Sequence, residues 1–179
     1  MSLADVVISS GGVSVGKADF VSEVIAGLGQ VPFWKMAIKP GRPLAFGRIG
    51  GEAGRSAWLF GLPGNPVAVM AAFYQFVRPA LWRLMGVDPL PVLALLPAVC
   101  TVALRKAPGR TAFQRGVVDP VTRTVRPTGP QGSRILRSMC EADCFIVLER
   151  ERSSVAAGES VNVQLFDGLI RAATGVGKR

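Results

Sequence analysis

The stretch from Ser10 to Asp19 reads Ser-Gly-Gly-Val-Ser-Val-Gly-Lys-Ala-Asp and follows a short apolar run, Asp5–Ser9. Such a run bounded by glycines is typical of a buried strand in a parallel sheet. Beyond Lys17, apolar residues recur at helical spacing until Gly29, which would cap a helix. With a second strand predicted over 31–38, the order strand, glycine loop, helix, strand predicts a βαβ unit with a right-handed crossover.

A glycine loop that leads into a helix is suited to an anion, because glycine lets a phosphate approach the free N–H groups of the helix start. The spacing from Gly11 to Gly16 and Lys17 matches a P-loop until Ala18, where a hydroxyl should hold Mg²⁺. Nucleotide hydrolysis at a P-loop is therefore the less favoured interpretation. Asp19 either stabilises the helix start or contacts Mg²⁺ or the ligand.

Three cations lie at the end of the second predicted strand and in the turn after it. Lys35 and Lys39 would share one face of it, about 13 Å apart, and Arg42 lies in a tight Pro-Gly turn. They form a candidate cradle for phosphates or another oxyanion, although solvated surface cations are the plain alternative.

A second glycine turn precedes a long predicted helix. Strands over 44–47 and 57–60 should form a hairpin, and the turn Gly61-Leu-Pro-Gly-Asn-Pro66 follows them. Asn65 suits an N-cap and Pro66 the first helical position. Pro79 should interrupt the helix and Gly86 should end it.

The segment 88–91 marks a domain boundary, because helical periodicity stops there. We predict a domain over 1–88 and a second over 89–179. The second domain should be a small β barrel or sandwich, with strands over 99–104, 111–118, 123–126, 145–149 and 160–165. The fold class is therefore α/β, a mostly parallel sheet with flanking helices, followed by a mostly-β domain.

Composition narrows the function classes. Twenty-one basic and 12 acidic residues give a net charge of +9, which suits anionic partners, but they form no basic run typical of nucleic-acid binding. The longest apolar run, 90–104, is too short for a membrane span and contains prolines. The chain has no histidine, which excludes catalytic triads that need one. Its three cysteines are better interpreted as buried thiols in a reducing, cytoplasmic setting than as a metal site.

Several longer motifs resemble, in order and spacing, the molybdopterin molybdenumtransferase family (MoeA in bacteria, the gephyrin E domain in animals). In the first domain these motifs are SSGGVSVGKADF, FWKMAIKPGRPLAFG and GLPGNPVAVMAAFYQFVRPAL, and in the second they are PGRTAFQRG, TGPQGSRIL, DCFIVLE and GESVNV. The resemblance spans nearly the whole chain and implies the later part of the family's molybdopterin-binding α/β domain followed by its C-terminal β domain.

The resemblance also implies a reaction, the insertion of molybdate into adenylylated molybdopterin with release of AMP and with Mg²⁺ as helper, in a homodimer. Asp19, Lys35 and Lys39 would then be catalytic, and Asp19 would also hold the metal. The implied pterin-binding residues are Gly11, Gly12, Ser14, Gly16, Arg42, Pro63, Gly64, Asn65 and Pro66.

Two residues depart from the family pattern. Arg42 stands where many relatives have lysine, and Lys17 stands where an acid is common. Because family domains that should precede Ala4 are absent, we expect a C-terminal fragment whose exposed sheet edge pairs with another copy or a partner. The alternative is a non-catalytic molybdopterin-binding or scaffold module.

Overall fold

The chain divides into two compact units, Met1–Pro91 and Val92–Arg179. The computed structural model describes residues 4–11, 27, 31–50, 56–132 and 135–166. The helix predicted after Lys17, and the glycine loop beyond Gly11, lie outside the described residues.

The first unit contains a four-stranded sheet with the strand order β1-β5-β4-β2. Strand β1 is parallel to β5, whereas β5–β4 and β4–β2 are antiparallel pairs. Three of the four strands therefore run in one direction, which confirms the predicted α/β sheet, and β4–β5 is the predicted hairpin. The strand bounds are β1 Val6–Ser10, β2 Phe33–Lys35, β4 Pro43–Ile49 and β5 Ala57–Leu62, with a short β3 at Ile38–Lys39.

The prediction of one continuous strand over 31–38 is wrong. Strand β2 ends at Lys35, opposite Pro43, and the Met36 N–H donates to the Arg42 carbonyl at 2.7 Å. This hydrogen bond closes a loop over 36–42, so Lys35 and Lys39 lie on different elements. The same-face argument for the two lysines does not hold.

The predicted long helix is confirmed from its cap onward, and it has three parts. Helix α1 (Pro66–Ala72), a π-helical segment (Phe73–Val77) and helix α2 (Arg78–Leu84) follow one another. In the π-helical segment the Arg78 N–H donates five residues back, to the Phe73 carbonyl. Pro79 has no N–H to continue the ordinary ladder, which accounts for the change of pitch beside it.

The same helix covers one face of the sheet. Buried side chains from β4 and β5 pack there against the helix and form the core of the first unit: Leu44, Phe60, Leu62, Ala72 and Val77. Strand β1 was predicted to be buried, but Val7 and Ile8 are exposed because β1 lies at the edge of the described sheet.

The second unit is a closed barrel of five strands. Around the barrel the order is β10-β12-β6-β9-β8, and β8 returns to pair with β10. The predicted β domain is thus confirmed, and of the two predicted forms it is the barrel and not the sandwich. The elements of this unit are β6 Leu95–Cys100, β7 Leu104–Arg105, β8 Thr111–Asp119, β9 Thr124–Pro127, α3 Leu136–Cys140, β10 Cys144–Leu148, β11 Ser154–Val155 and β12 Ser160–Leu165.

Two details of the second unit differ from prediction. The first strand begins at Leu95 rather than at residue 99, because Pro97 is accommodated opposite Asn162 within the ladder. Cys140 is exposed, whereas Cys144 is buried as expected. Burial raises the pKa of the Cys144 thiol, so this side chain is a neutral core residue.

Candidate anion-binding site

The ends of β1 and β5 bring two glycine turns together. The two strands are parallel neighbours, so their carboxyl ends lie at the same edge of the sheet, the usual ligand edge of α/β folds. The Gly11 N–H donates to the Leu62 carbonyl at 3.0 Å. A Cβ on Gly64 would lie only 3.4 Å from the Gly11 Cα. Both turns therefore meet with little more than backbone between them.

The 36–42 loop lies against the first turn of α1, which follows the 61–66 turn, through Gly41. Gly41 is buried with φ +104, and a Cβ there would lie 3.2 Å from the carbonyl oxygen of Ala68 in α1. Only glycine adopts this backbone without strain and permits the close approach to the helix. We call Gly11, the 36–42 loop and the 61–66 turn together the glycine cradle.

The charged side chains of the described segments 31–42 and 61–66 are all cationic. Lys35, Lys39 and Arg42 are exposed at the loop or at its base. Neither the 36–42 loop nor the 61–66 turn contains an acidic residue. The cations are thus free to attract an anion that approaches the sheet edge, and Arg42 can bind an oxyanion with two parallel N–H groups.

Asn65 has a structural task in this arrangement. Its Oδ1 accepts from the N–H groups of Val67 at 3.1 Å and Ala68 at 3.2 Å, and Pro66 has no N–H to offer. Asn65 and Pro66 therefore set the direction of α1. Of the other two predicted binding residues of this turn, Pro63 is buried and Gly64 is exposed.

Several predicted site residues lie outside the described residues, namely Gly12, Ser14, Gly16 and Asp19. The described part of the glycine cradle presents cations and neutral groups, which do not suit Mg²⁺. Among the described residues no group of three or more acidic, cysteine or histidine side chains could hold a metal ion. The assignment of Mg²⁺ to Asp19 therefore stays a prediction.

A buried arginine in the second unit was missed by sequence reasoning. Arg115, on β8, is 1% exposed. Its guanidinium donates to the Ser138 hydroxyl at 3.0 Å and to the carbonyls of Gln131 at 3.1 Å, Pro130 at 3.3 Å and Gly132 at 3.0 Å. Burial lowers the pKa of Arg115, but arginine stays charged in proteins. The cation thus fixes the loop over 128–132. Its sequence signal is weak, because Arg115 follows another polar residue, Gln114, within the strand.

The fold defines a class of protein in which an α/β unit, with two glycine turns at one edge of its sheet, is followed in sequence by a β barrel. Comparisons with known families make that class specific. The family model described as "Probable molybdopterin binding domain" matches residues 1–83. The model of the MoeA C-terminal region (domain IV) matches residues 97–166.

Full-length relatives agree with these matches. The chain is 45% identical over 172 residues to the molybdopterin molybdenumtransferase of Haemophilus influenzae, covering 94% of this chain and 41% of that protein. It is 34% identical to molybdopterin molybdenumtransferase 2 of Mycobacterium tuberculosis, covering 89% of this chain and 40% of the relative. The chain belongs to the molybdopterin molybdenumtransferase family and spans about two fifths of the length of these relatives.

Solved structures show the same relationship. The molybdopterin biosynthesis MoeA protein of Pyrococcus horikosii matches with a TM-score of 0.73 and 31% identity, over 93% of this chain and 38% of that one. The family resemblance of the sequence motifs is therefore confirmed.

Proposed function

We propose that the chain acts in molybdenum cofactor biosynthesis, as the C-terminal portion of an enzyme that inserts molybdate into adenylylated molybdopterin with release of AMP. The observation that carries the proposal is the glycine cradle. In a unit matched by a molybdopterin-binding family model, three exposed cations lie in or directly before the 36–42 loop, where they can attract a phosphate.

The cationic residues, the glycines and the acidic residue of the predicted site would have different roles. Lys35 and Lys39 would attract molybdate and neutralise the phosphate charge that develops as the adenylate bond breaks. Arg42 would hold a phosphate oxygen pair. The glycines of the loop and turn, with Ser14 and Pro63, would shape the surface that contacts the pterin phosphate. Mg²⁺ would be held by Asp19 rather than by the described residues of the glycine cradle, and would supply charge for the departing phosphate.

We also propose a homodimer in the cytoplasm. Support comes from the exposed edge strand β1 and from three free cysteines, which suit a reducing compartment. No helix among the described residues is long and apolar enough to cross a membrane.

Titration with adenylylated molybdopterin tests the function. We expect Lys39→Ala and Arg42→Ala each to weaken binding by about tenfold, the usual loss for one charge-assisted hydrogen bond. Arg48→Ala is the matched control, because Arg48 is exposed on β4 and stacks on Trp58 instead of flanking the glycine cradle.

The possible outcomes are distinct. Equal affinity of the unchanged chain and all three variants for adenylylated molybdopterin would refute the proposed site. Selective loss of binding in the Lys39 and Arg42 variants, without AMP release by the unchanged chain, would favour the alternative of a non-catalytic molybdopterin-binding module. AMP release on addition of molybdate would support catalysis.

A further inference from the structure

One end of the β barrel in the second unit has an open cavity of about 370 Å³. That volume falls within the range of small-molecule pockets in proteins. The cavity lies where β6 begins and where β8 and β12 end, and most of its lining is aliphatic: Leu96, Pro97, Val118, Pro120, Val163 and Leu165.

The cavity continues the hydrophobic core to the surface. Val163 is 1% exposed and belongs to the buried core, and Val118 and Leu165 pack against that core. Leu96, by contrast, is 44% exposed at the mouth. A ligand here would contact aliphatic side chains deep in the barrel and solvent at the mouth, so its body should be apolar.

The mouth carries two charged residues, and only one of them is already paired. Asp119 Oδ1 accepts from the N–H groups of Val121 at 2.8 Å and Thr122 at 3.2 Å. For Arg123, no hydrogen bond or ion pair joins the guanidinium to another residue within the described part of the chain. Of the two charged groups at the mouth, Arg123 is therefore the one that can pair with an anionic head group.

Arg123 is also held in a strained backbone conformation. It has φ +54, the one positive φ of a non-glycine residue among the described residues. Its carbonyl accepts from the Val99 N–H of β6 at 2.8 Å, which fixes the backbone in place. Glycine or asparagine would adopt this conformation more easily. Strained residues of this kind cluster at ligand sites, so an arginine at this position needs a reason other than stability.

We propose that this barrel-end cavity binds a small amphipathic carboxylate, with its apolar body against Val118, Val163 and Leu165 and its carboxylate on Arg123. This site is independent of the glycine cradle and of the proposed function. The apolar body supplies affinity through area removed from water, and the guanidinium supplies selectivity for an anionic head group.

Octanoate is the probe, titrated into the full chain and followed by two-dimensional NMR. We expect saturable shifts of the cavity residues, and weaker shifts with octanol and octylamine. Arg123→Gln should weaken octanoate binding by about tenfold. Arg126→Gln, an exposed arginine on the neighbouring β9, should leave it unchanged, and Leu96→Trp should block the mouth.

Arg123→Asn separates binding from folding. It should weaken octanoate binding while raising the thermal unfolding midpoint, because it relieves the backbone strain. Loss of binding with a lowered midpoint would indicate structural damage and would count against the proposal. Three other results would also overturn the proposal. These are the absence of saturable octanoate binding, equal binding of octanoate and octanol, and equal effects of Arg123→Gln and Arg126→Gln on octanoate binding.

Discussion

At the scale of single residues, Arg115 shows what a buried charge requires. Its guanidinium has no carboxylate partner among the described residues, and four oxygen atoms compensate for its desolvation. The loop also depends on the arginine, because the same cation donates hydrogen bonds to three backbone carbonyls of the 128–132 loop. Removing the arginine would take the donor away from the buried Ser138 hydroxyl and from three partly buried carbonyls.

We therefore expect Arg115→Met to lower the free energy of unfolding by on the order of 3 kcal/mol. Arg115→Lys should recover only part of the loss, since an ammonium cannot reach all four acceptors in the fork geometry of a guanidinium. Urea denaturation measures both changes. Arg126→Met, at an exposed position on β9, is the control, and an equal effect at both positions would refute the role given to Arg115.

Single residues also show why the site was only partly predictable. Gly11, Gly41 and Gly64 could be expected in turns from sequence. The approach of Gly64 to Gly11, however, depends on β1 pairing with β5, and the position of Gly41 depends on the 36–42 loop packing against α1. The role of Arg115 could not be read from sequence, because its acceptors lie in a loop 15 to 17 residues away.

At the scale of elements, local signals predicted the elements that local physics determines. The start of α1 was predictable from Asn65 and Pro66, because an N-cap and its first-turn proline act within four residues. The turn between β8 and β9 was predictable from Asp119-Pro120 for the same reason. The break between β2 and β3 was not, since it depends on the hydrogen bond between Met36 and Arg42 across the loop.

The β8–β9 turn leads to a prediction about pH. Hydrogen bonds from the Thr122 and Val121 N–H groups hold the pKa of Asp119 below its ordinary value of about 4. A lowered folded-state pKa means that the ionised carboxylate stabilises the fold above the unfolded-state value. That stabilisation is lost as the pH falls from about 4 through the folded-state pKa.

Asp119→Asn should accordingly lower the thermal midpoint at pH 7 and at pH 5. The difference from the unchanged chain should shrink as the pH approaches 3, because the aspartate then becomes neutral too. Thermal unfolding by circular dichroism at the three pH values measures the difference. A gap of constant size across the series would contradict a charge-dependent contribution.

At the scale of the whole molecule, the excess of positive charge and the exposed apolar surface point to different partners. The net charge of +9 favours anionic ligands. This electrostatic attraction weakens as the salt concentration rises, because salt screens the charges. Strand β1 presents a different kind of surface. It pairs with β5 on one side, and its other edge is open within the described sheet.

The open edge of β1 predicts self-association. Val7 is 36% exposed and Ile8 is 45% exposed, and an apolar strand with unpaired N–H and carbonyl groups is a template for pairing with a second strand. Sedimentation velocity should show concentration-dependent association of the unchanged chain. Ile8→Lys should shift the chain to the monomer, because a charged side chain on an edge strand opposes pairing.

Val121→Lys makes the same change at a residue 86% exposed in the β8–β9 turn and should leave association intact. If both lysine variants dissociate equally, net charge rather than the β1 edge governs association, and the proposed homodimer loses its structural support.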